Sequence, residues 1–346
     1  MKALVKTAKG PGHVELKSDW PKPTAQKGWV VMQVAGCGIC GTDIHILEDT
    51  HKNWPPVVLG HEYSGRIVEV GEGVENFKIG DRIVCEQHNL ACMTCDACRR
   101  GAIQLCPSKR SPGWGIDGAF AEYVALPAHL LHKIPDGVSF RTATVTEPTA
   151  ICITGLDRVN LKSGERVLVI GPGPVGILSA LIAKASGASE VVLLARPSSR
   201  ERLALAATLG ITTYELDGSD ILATIGNTFD LAIDSTGAGD ALNLAINATR
   251  RLGRVLELGL SSQAEISFAL NAAMTRAISI HMSMSSEYSS WDRALALMAA
   301  GNYDPAAITS IYSIDDWQSA FHDVEKRTAV KAIVTPQDFS VLDETQ

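Results

Sequence analysis

The stretch Arg166-Val167-Leu168-Val169-Ile170-Gly171-Pro172-Gly173-Pro174-Val175-Gly176 decides the fold of the second half of the chain. Its first five residues are a short apolar run closed by glycine, the mark of a buried strand. The residues from Val175 through Ala185 continue as a helical stretch. A glycine-rich turn between strand and helix permits a tight reversal, close approach of the backbone to a pyrophosphate, and close helix–strand packing. The free N–H groups and the dipole of the helix then attract the anion. A lone GxGxxG string is weak evidence, but in this setting it predicts a Rossmann site in which Gly171, Gly173, Pro174, Val175 and Gly176 face a dinucleotide.

Outward from this turn, compact apolar strands recur at 191–194, 230–233 and 254–258, with helical stretches between them. That alternation predicts βαβ units and a parallel, doubly wound sheet. Toward the N-terminus the texture differs. Short apolar runs such as 28–34 and 80–85 are broken often by Gly, Pro and Asp, as in a β-rich, barrel-like domain. The change falls near Glu147, and beyond Met284 the chain turns helical before a last strand-like run at 330–334. The expected architecture is therefore α/β and two-domain: a β-rich domain over 1–153 completed by 290–346, and a Rossmann domain over 154–289.

At 346 residues, 46% hydrophobic and 20% charged, the chain has the composition of a globular protein of about two domains. A formal charge of −7 argues against nucleic acid or an anionic membrane as partner. The first ten residues lack the continuous apolar run of a signal peptide, and the most apolar region, 167–185, is interrupted by glycines, prolines and Lys184. The expected location is cytoplasmic. In that setting Cys92, Cys95, Cys98 and Cys106, four of eight cysteines, read as metal ligands rather than disulfides. The short spacings suit a closed tetrahedral zinc site, which fixes a loop and leaves no position for substrate.

Two further segments carry potential ligands, Gly36-Cys37-Gly38-Ile39-Cys40-Gly41-Thr42-Asp43-Ile44-His45 and Gly60-His61-Glu62-Tyr63-Ser64-Gly65. A thiolate, an imidazole and a carboxylate can hold zinc with one position open. By spacing alone, Cys40 and His61 are equally readable as packed core residues. After the strand at 191–194 the sequence runs Ala195-Arg196-Pro197-Ser198-Ser199-Arg200. An NAD site usually places an acid there for the ribose hydroxyls, whereas Arg196 and Arg200 suit a 2′-phosphate. NADP is the expected dinucleotide, with NAD possible if these arginines form only a solvated loop. Asp234-Ser235-Thr236-Gly237-Ala238 and Leu258-Gly259-Leu260 follow strands of the same sheet. Their strand ends face the ligand crevice.

Gly60-His61-Glu62-x2-Gly65-x5-Gly71-x2-Val74, Gly38-Ile39-Cys40-Gly41-Thr42-Asp43-x-His45, the four-cysteine lobe and the glycine-rich turn occur together and in order. In this the chain resembles the zinc-dependent medium-chain alcohol dehydrogenase superfamily over essentially its whole length. The resemblance implies a GroES-like fold for the β-rich domain and one catalytic and one structural zinc. It also implies Cys40 and His61 as catalytic ligands, with Glu62 a ligand in the sorbitol and threonine dehydrogenase branches. Glu147, in Thr146-Glu147-Pro148, stands where simple alcohol dehydrogenases carry a Cys or His, and it points to the polyol and threonine branch as a direct or water-linked ligand. Thr42 and His45 occupy the positions of a proton relay; on residue chemistry alone, Thr42 as a helix cap and His45 as a solvated helical residue are equal readings. Thr236, Gly259 and Leu260 correspond to residues near the nicotinamide, and the strand near 278–282 to one that pairs between subunits, so a homodimer or homotetramer is expected. Trp54, Trp114 and Phe120 are candidates for pocket or core. The expected reaction joins a polyol, sugar alcohol or vicinal diol to NADP. The alternatives are an L-threonine 3-dehydrogenase or simple alcohol dehydrogenase using NAD, and a relative that binds nucleotide without catalysis.

Overall fold

The computed structural model describes residues 1–339. Contacts gather them into two units, Met1–Glu147 with the segment from Glu287 onward, and Pro148–Ser286.

The second unit is a six-stranded sheet built from β1 (Arg166–Ile170), β2 (Glu190–Ala195), β3 (Thr212–Glu215), β4 (Phe229–Asp234), β5 (Thr249–Glu257) and β6 (Ser279–Met282). The spatial order is β3-β2-β1-β4-β5-β6, and every pair is parallel. β1 and β4 lie at the centre and are covered on both faces, which is why they read as unbroken apolar runs. Leu168, Ile170, Val192, Ala232 and Val255 pack against Leu242, Ala245 and Ile246 of the helix Gly239–Ala248. The chain order reverses between β1 and β4, so the crevice beyond their C-terminal ends is the place for a ligand.

The first unit is organised on one long strand, Trp29–Gly38. It pairs antiparallel with Glu62–Val70, with Tyr123–Pro127 and with Lys331–Thr335. The sheet extends through Arg82–Cys85 to Leu131–Lys133 on one side and through Thr309–Ser313 on the other. A smaller sheet joins Val14–Lys17, Ala3–Lys6 and Val57–Val58. Register shifts at Val31/Met32 and Val34/Gly36 mark irregularities that bend the long strand. Its last residue, Gly38, is in register with Glu62 on one neighbour and Ile333 on the other. That register brings residues from three distant parts of the sequence to one end of the sheet. Among the described residues, no helix is long and apolar enough to cross a membrane.

Candidate metal and dinucleotide sites

Beyond Gly38 the chain leaves the sheet and starts the helix Gly41–Leu47, with Cys40 as its N-cap. Asp43, three residues on, accepts the Cys40 N–H on Oδ2 at 2.8 Å, closing the first turn. Its other oxygen lies 3.5 Å from Nδ1 of His61, and both residues are buried. One carboxylate thus fixes both the loop bearing the thiol and the orientation of the imidazole, the usual support for a metal-binding histidine. A ligand atom from each of Cys40, His61 and Glu62 falls within 4.8 Å of the others. A Cβ at Gly38 would strike the Glu62 carboxylate, so glycine makes room for that approach.

Two buried basic groups here hold their protons against desolvation. Burial disfavours a charged His61, yet the Asp43 carboxylate and the Cys40 sulfur hold its pKa well above the ordinary value. Lys331 is fully buried and donates to Glu62 at 2.6 and 2.9 Å and to the Ile39 carbonyl at 2.9 Å. Burial would strip its proton, but the Glu62 carboxylate and the Cys40 sulfur keep its pKa raised. Glu147 opens the helix Thr146–Arg158 and accepts a hydrogen bond from Gln87. Burial, together with the neighbouring Glu62 charge, pushes its pKa to about 8. It stands outside the group formed by Cys40, His61 and Glu62.

Cys92, Cys95, Cys98 and Cys106 form a second group with their sulfurs within 4.8 Å of one another. The backbone N–H groups of Cys92, Cys95 and Cys98 point at the sulfurs of Cys106, Cys92 and Cys95, at 3.4, 3.4 and 3.5 Å. Such donors favour thiolates, and hydrogen bonds from Thr94 and Cys95 bring the Cys92 pKa down to about 5. Desolvation and the adjoining sulfurs push Cys98 up to about 12. Four converging sulfurs that share protons in this way fit a zinc ion replacing those protons.

In the other unit, the helix Pro174–Ala185 starts from Gly173 with proline at its first position and no side chain capping it, so its first N–H groups remain available to an anion. Gly171 has φ +103°, a conformation that favours glycine, and a Cβ at Gly176 would collide with the Gly171 carbonyl. Arg196 and Arg200 follow β2 and project into solvent. Arg196 is paired with Asp240 at 2.6 Å, and Arg200 forms a two-bond pair with Glu215 at 2.6 and 2.8 Å. Ala195 is the last residue of β2. Thr236 follows β4, Gly259 and the exposed Leu260 follow β5, and all three lie at the C-terminal edge of the sheet.

Residues 26–136 match the alcohol dehydrogenase GroES-like domain family, and residues 174–300 match the zinc-binding dehydrogenase family. A sorbitol dehydrogenase of Halalkalibacterium halodurans is 36% identical over 345 residues, covering 98% of this chain and 100% of that protein. An L-threonine 3-dehydrogenase of Pseudoalteromonas translucida is 34% identical, over 93% of this chain and 95% of that protein. The structure of 2R,3R-butanediol dehydrogenase from Bacillus subtilis superposes with a TM-score of 0.86 at 28% identity, covering 97% of this chain and 99% of that one. The chain belongs to the zinc-dependent medium-chain alcohol dehydrogenase family. It is an NAD(P)-linked oxidoreductase of GroES-like and Rossmann architecture.

In this dehydrogenase the sequence-derived candidates separate into groups. Cys40, His61 and Glu62 converge, with the Thr42 hydroxyl 3.8 Å from the Cys40 sulfur. The cap of this helix is Cys40 rather than Thr42. His45 is exposed and contacts Thr50 at 3.2 Å and Glu48 at 3.5 Å; among the described residues no hydrogen bond joins it to Thr42. Trp114 sets its edge against His61, with ring centroids 5.0 Å apart, while Phe120 is core and Trp54 stacks under Arg110. Sequence reasoning passed over Asp43, Gln87 and Lys331. A carboxylate three residues after Cys40 was a capping signal, and a lysine inside the apolar run 329–334 was a sign of a buried charge with a partner.

Proposed function

We propose that this dehydrogenase interconverts a polyol, sugar alcohol or vicinal diol with its ketone and prefers NADP. The observation that carries the reading is the convergence of Cys40, His61 and Glu62, a donor set with one thiolate and a carboxylate in place of a second sulfur. We assign these three as the holders of the catalytic zinc, and the four-cysteine lobe as the holder of the structural one. Zinc held there supplies Lewis acidity that lowers the pKa of an alcohol toward neutrality. Asp43 keeps the imidazole in place, and Trp114 covers its edge against water. Thr42, beside the Cys40 sulfur, would accept the alcohol proton while releasing its own hydroxyl proton to water, and the exposed His45 would exchange that proton with solvent. Glu147, whose pKa burial and the Glu62 charge raise to about 8, can offer an O–H to a substrate hydroxyl when protonated as well as accept from Gln87. A nicotinamide held by the Rossmann unit would supply the hydride acceptor that the oxidation needs. A relative named for sorbitol and a neighbour named for a vicinal diol support the substrate class.

The dinucleotide preference rests on Arg196 and Arg200. A 2′-phosphate competes with Asp240 for Arg196, which is exposed, more readily than with the two-bond clasp of Glu215 on Arg200. We also assign the edge strand β6, which leaves Met282 exposed, as the surface on which two subunits pair in a dimer or tetramer.

The test is reduction of NADP and NAD, followed by absorbance, across polyols, vicinal diols, threonine and simple alcohols, with Arg196→Asp in parallel. Turnover of a polyol or diol with NADP, weakened selectively in Arg196→Asp, is the expected result. Activity confined to threonine or to NAD overturns the specificity reading, and no turnover with two zinc ions bound overturns the catalytic one.

A further inference from the structure

Two carboxyl groups stand side by side at the ligand-facing edge of the Rossmann sheet. Asp234 ends β4, Glu257 ends β5, and the two are direct partners in the parallel register, so their side chains share one face. Asp234 is fully buried and Glu257 is half-buried. Each uses one oxygen to hold the loop beyond its strand. Asp234 Oδ1 accepts the N–H and the hydroxyl of Thr236, both at 2.7 Å, and Glu257 Oε1 accepts the N–H of Gly259 at 3.0 Å. The second oxygen of Asp234 is buried and has no hydrogen-bond partner, on the face of the sheet that Glu257 shares.

The loops so held are interlocked. The Leu258 N–H donates to the Asp234 carbonyl at 2.9 Å, and a Cβ at Gly259 would strike the backbone of Thr236 and Gly237. A Cβ at Gly237 would come within 2.5 Å of the Leu260 carbonyl. Two carboxylates offer only acceptors, so satisfying the second Asp234 oxygen from its neighbour Glu257 requires one proton between them.

We propose that Asp234 and Glu257 share a single proton, and that this proton fastens together the two loops that receive the nicotinamide half of the dinucleotide. Both are positioning residues acting through the backbone of residues 235–237 and 258–260. Loss of the proton to solvent replaces a hydrogen bond by two facing negative charges at an edge that must accept an anionic cofactor. Burial, then the Asp234 charge, raises the Glu257 pKa to about 8, and burial raises that of Asp234. Among the described residues, no side chain on the elements packed here supplies a counter-charge. The neighbours in register are Ile170 on β1 and Met282 on β6. His281 is in register with Leu256 and so presents to the opposite face. On the helix Gly239–Ala248 the titratable group is Asp240, held by Arg196, and the helix Leu270–Thr275 has none. Arg276 beyond it is spent on the carbonyls of Ile246, Asn247 and Thr249.

The experiment is a titration of the zinc-loaded protein with NADH and NADPH, by fluorescence, from about pH 7 to about pH 9.5, with 5′-AMP as a control for the adenosine half. The native chain is expected to lose affinity for the reduced dinucleotides by about five- to tenfold over that range. Glu257→Gln and Asp234→Asn each keep a donor between the strands, and either is expected to reduce the decline to less than about twofold. Binding of 5′-AMP is expected to stay level throughout. A native chain with level dinucleotide affinity overturns the proposal, and so does an undiminished decline in the variants. Two variants guard against one failing to fold, and a purely structural role would lower their melting temperatures while leaving the slope with pH untouched.

Discussion

Replacing Lys331 by methionine removes an ammonium from a fully buried site. Three contacts disappear: two to Glu62 and one to the Ile39 carbonyl. Breaking one side of a buried ion pair costs about 3–5 kcal/mol, and the orphaned carbonyl adds about 1 kcal/mol. We expect Lys331→Met to destabilise the metal-free first unit by about 4 kcal/mol, and Glu62→Gln to do so by about 3 kcal/mol. In the double variant neither charge remains to be compensated, so its loss should be about 3 kcal/mol rather than the sum of about 7. All six tryptophans lie in residues 1–147 or beyond 287, so their fluorescence reports the first unit alone during urea unfolding. With a urea dependence of about 2–3 kcal/mol per molar, the Lys331→Met midpoint should fall by about 1.5 M. Additive losses in the double variant, in protein treated with chelator, would refute the claim that Lys331 exists to neutralise Glu62. With zinc supplied, Lys331→Met should bind the ion more tightly than the native chain, because a positive charge has left its vicinity.

Other consequences are open to equally direct measurement. Cys95→Ser should reduce bound zinc from two ions per chain to one and lower the melting temperature by several degrees, whereas Cys37→Ser should leave the metal count unchanged; plasma emission analysis of the purified proteins decides between them. His132 bonds Asp292 at 2.6 Å and lies 3.3 Å from Glu86; burial opposes its charge, but these carboxylates raise its pKa above 6.5. The folded state therefore holds its proton more tightly than the unfolded one, so this contribution is complete below pH 6.5 and is lost as pH climbs through the raised value. Asp292→Asn should flatten the decline of melting temperature above pH 6.5, and an unchanged profile would place the proton elsewhere.

The sequence carried the parts of the molecule that local pattern encodes. A glycine-rich turn must follow a strand and open a helix within a dozen residues, so β1 and the helix Pro174–Ala185 were readable directly. Four cysteines within fifteen residues likewise announce a closed loop. Cys40 and His61 gained meaning only from the resemblance, since their meeting depends on the antiparallel register of Gly38 with Glu62. The partner of Lys331 was beyond reach because Glu62 is 269 positions away and meets it across a sheet whose strand order no periodicity reveals. Asp234 and Glu257 read as ordinary polar strand ends for the same reason: only the β4–β5 register places them together. The arginines after β2 were visible, but their carboxylate partners, Asp240 and Glu215, come from other elements.

The strand Lys331–Thr335 also sets an order of events during synthesis. Cys40, His61 and Glu62 leave the ribosome early, and the whole of Pro148–Ser286 is made before the lysine that neutralises Glu62 exists. Until then Glu62 is without the partner, and Trp29–Gly38 without the neighbouring strand, that the finished fold gives them. Early zinc capture would satisfy that carboxylate ahead of the lysine. On the proposed assignment, a zinc ion bound during translation would stand in for Lys331 at Glu62, well before any substrate is met.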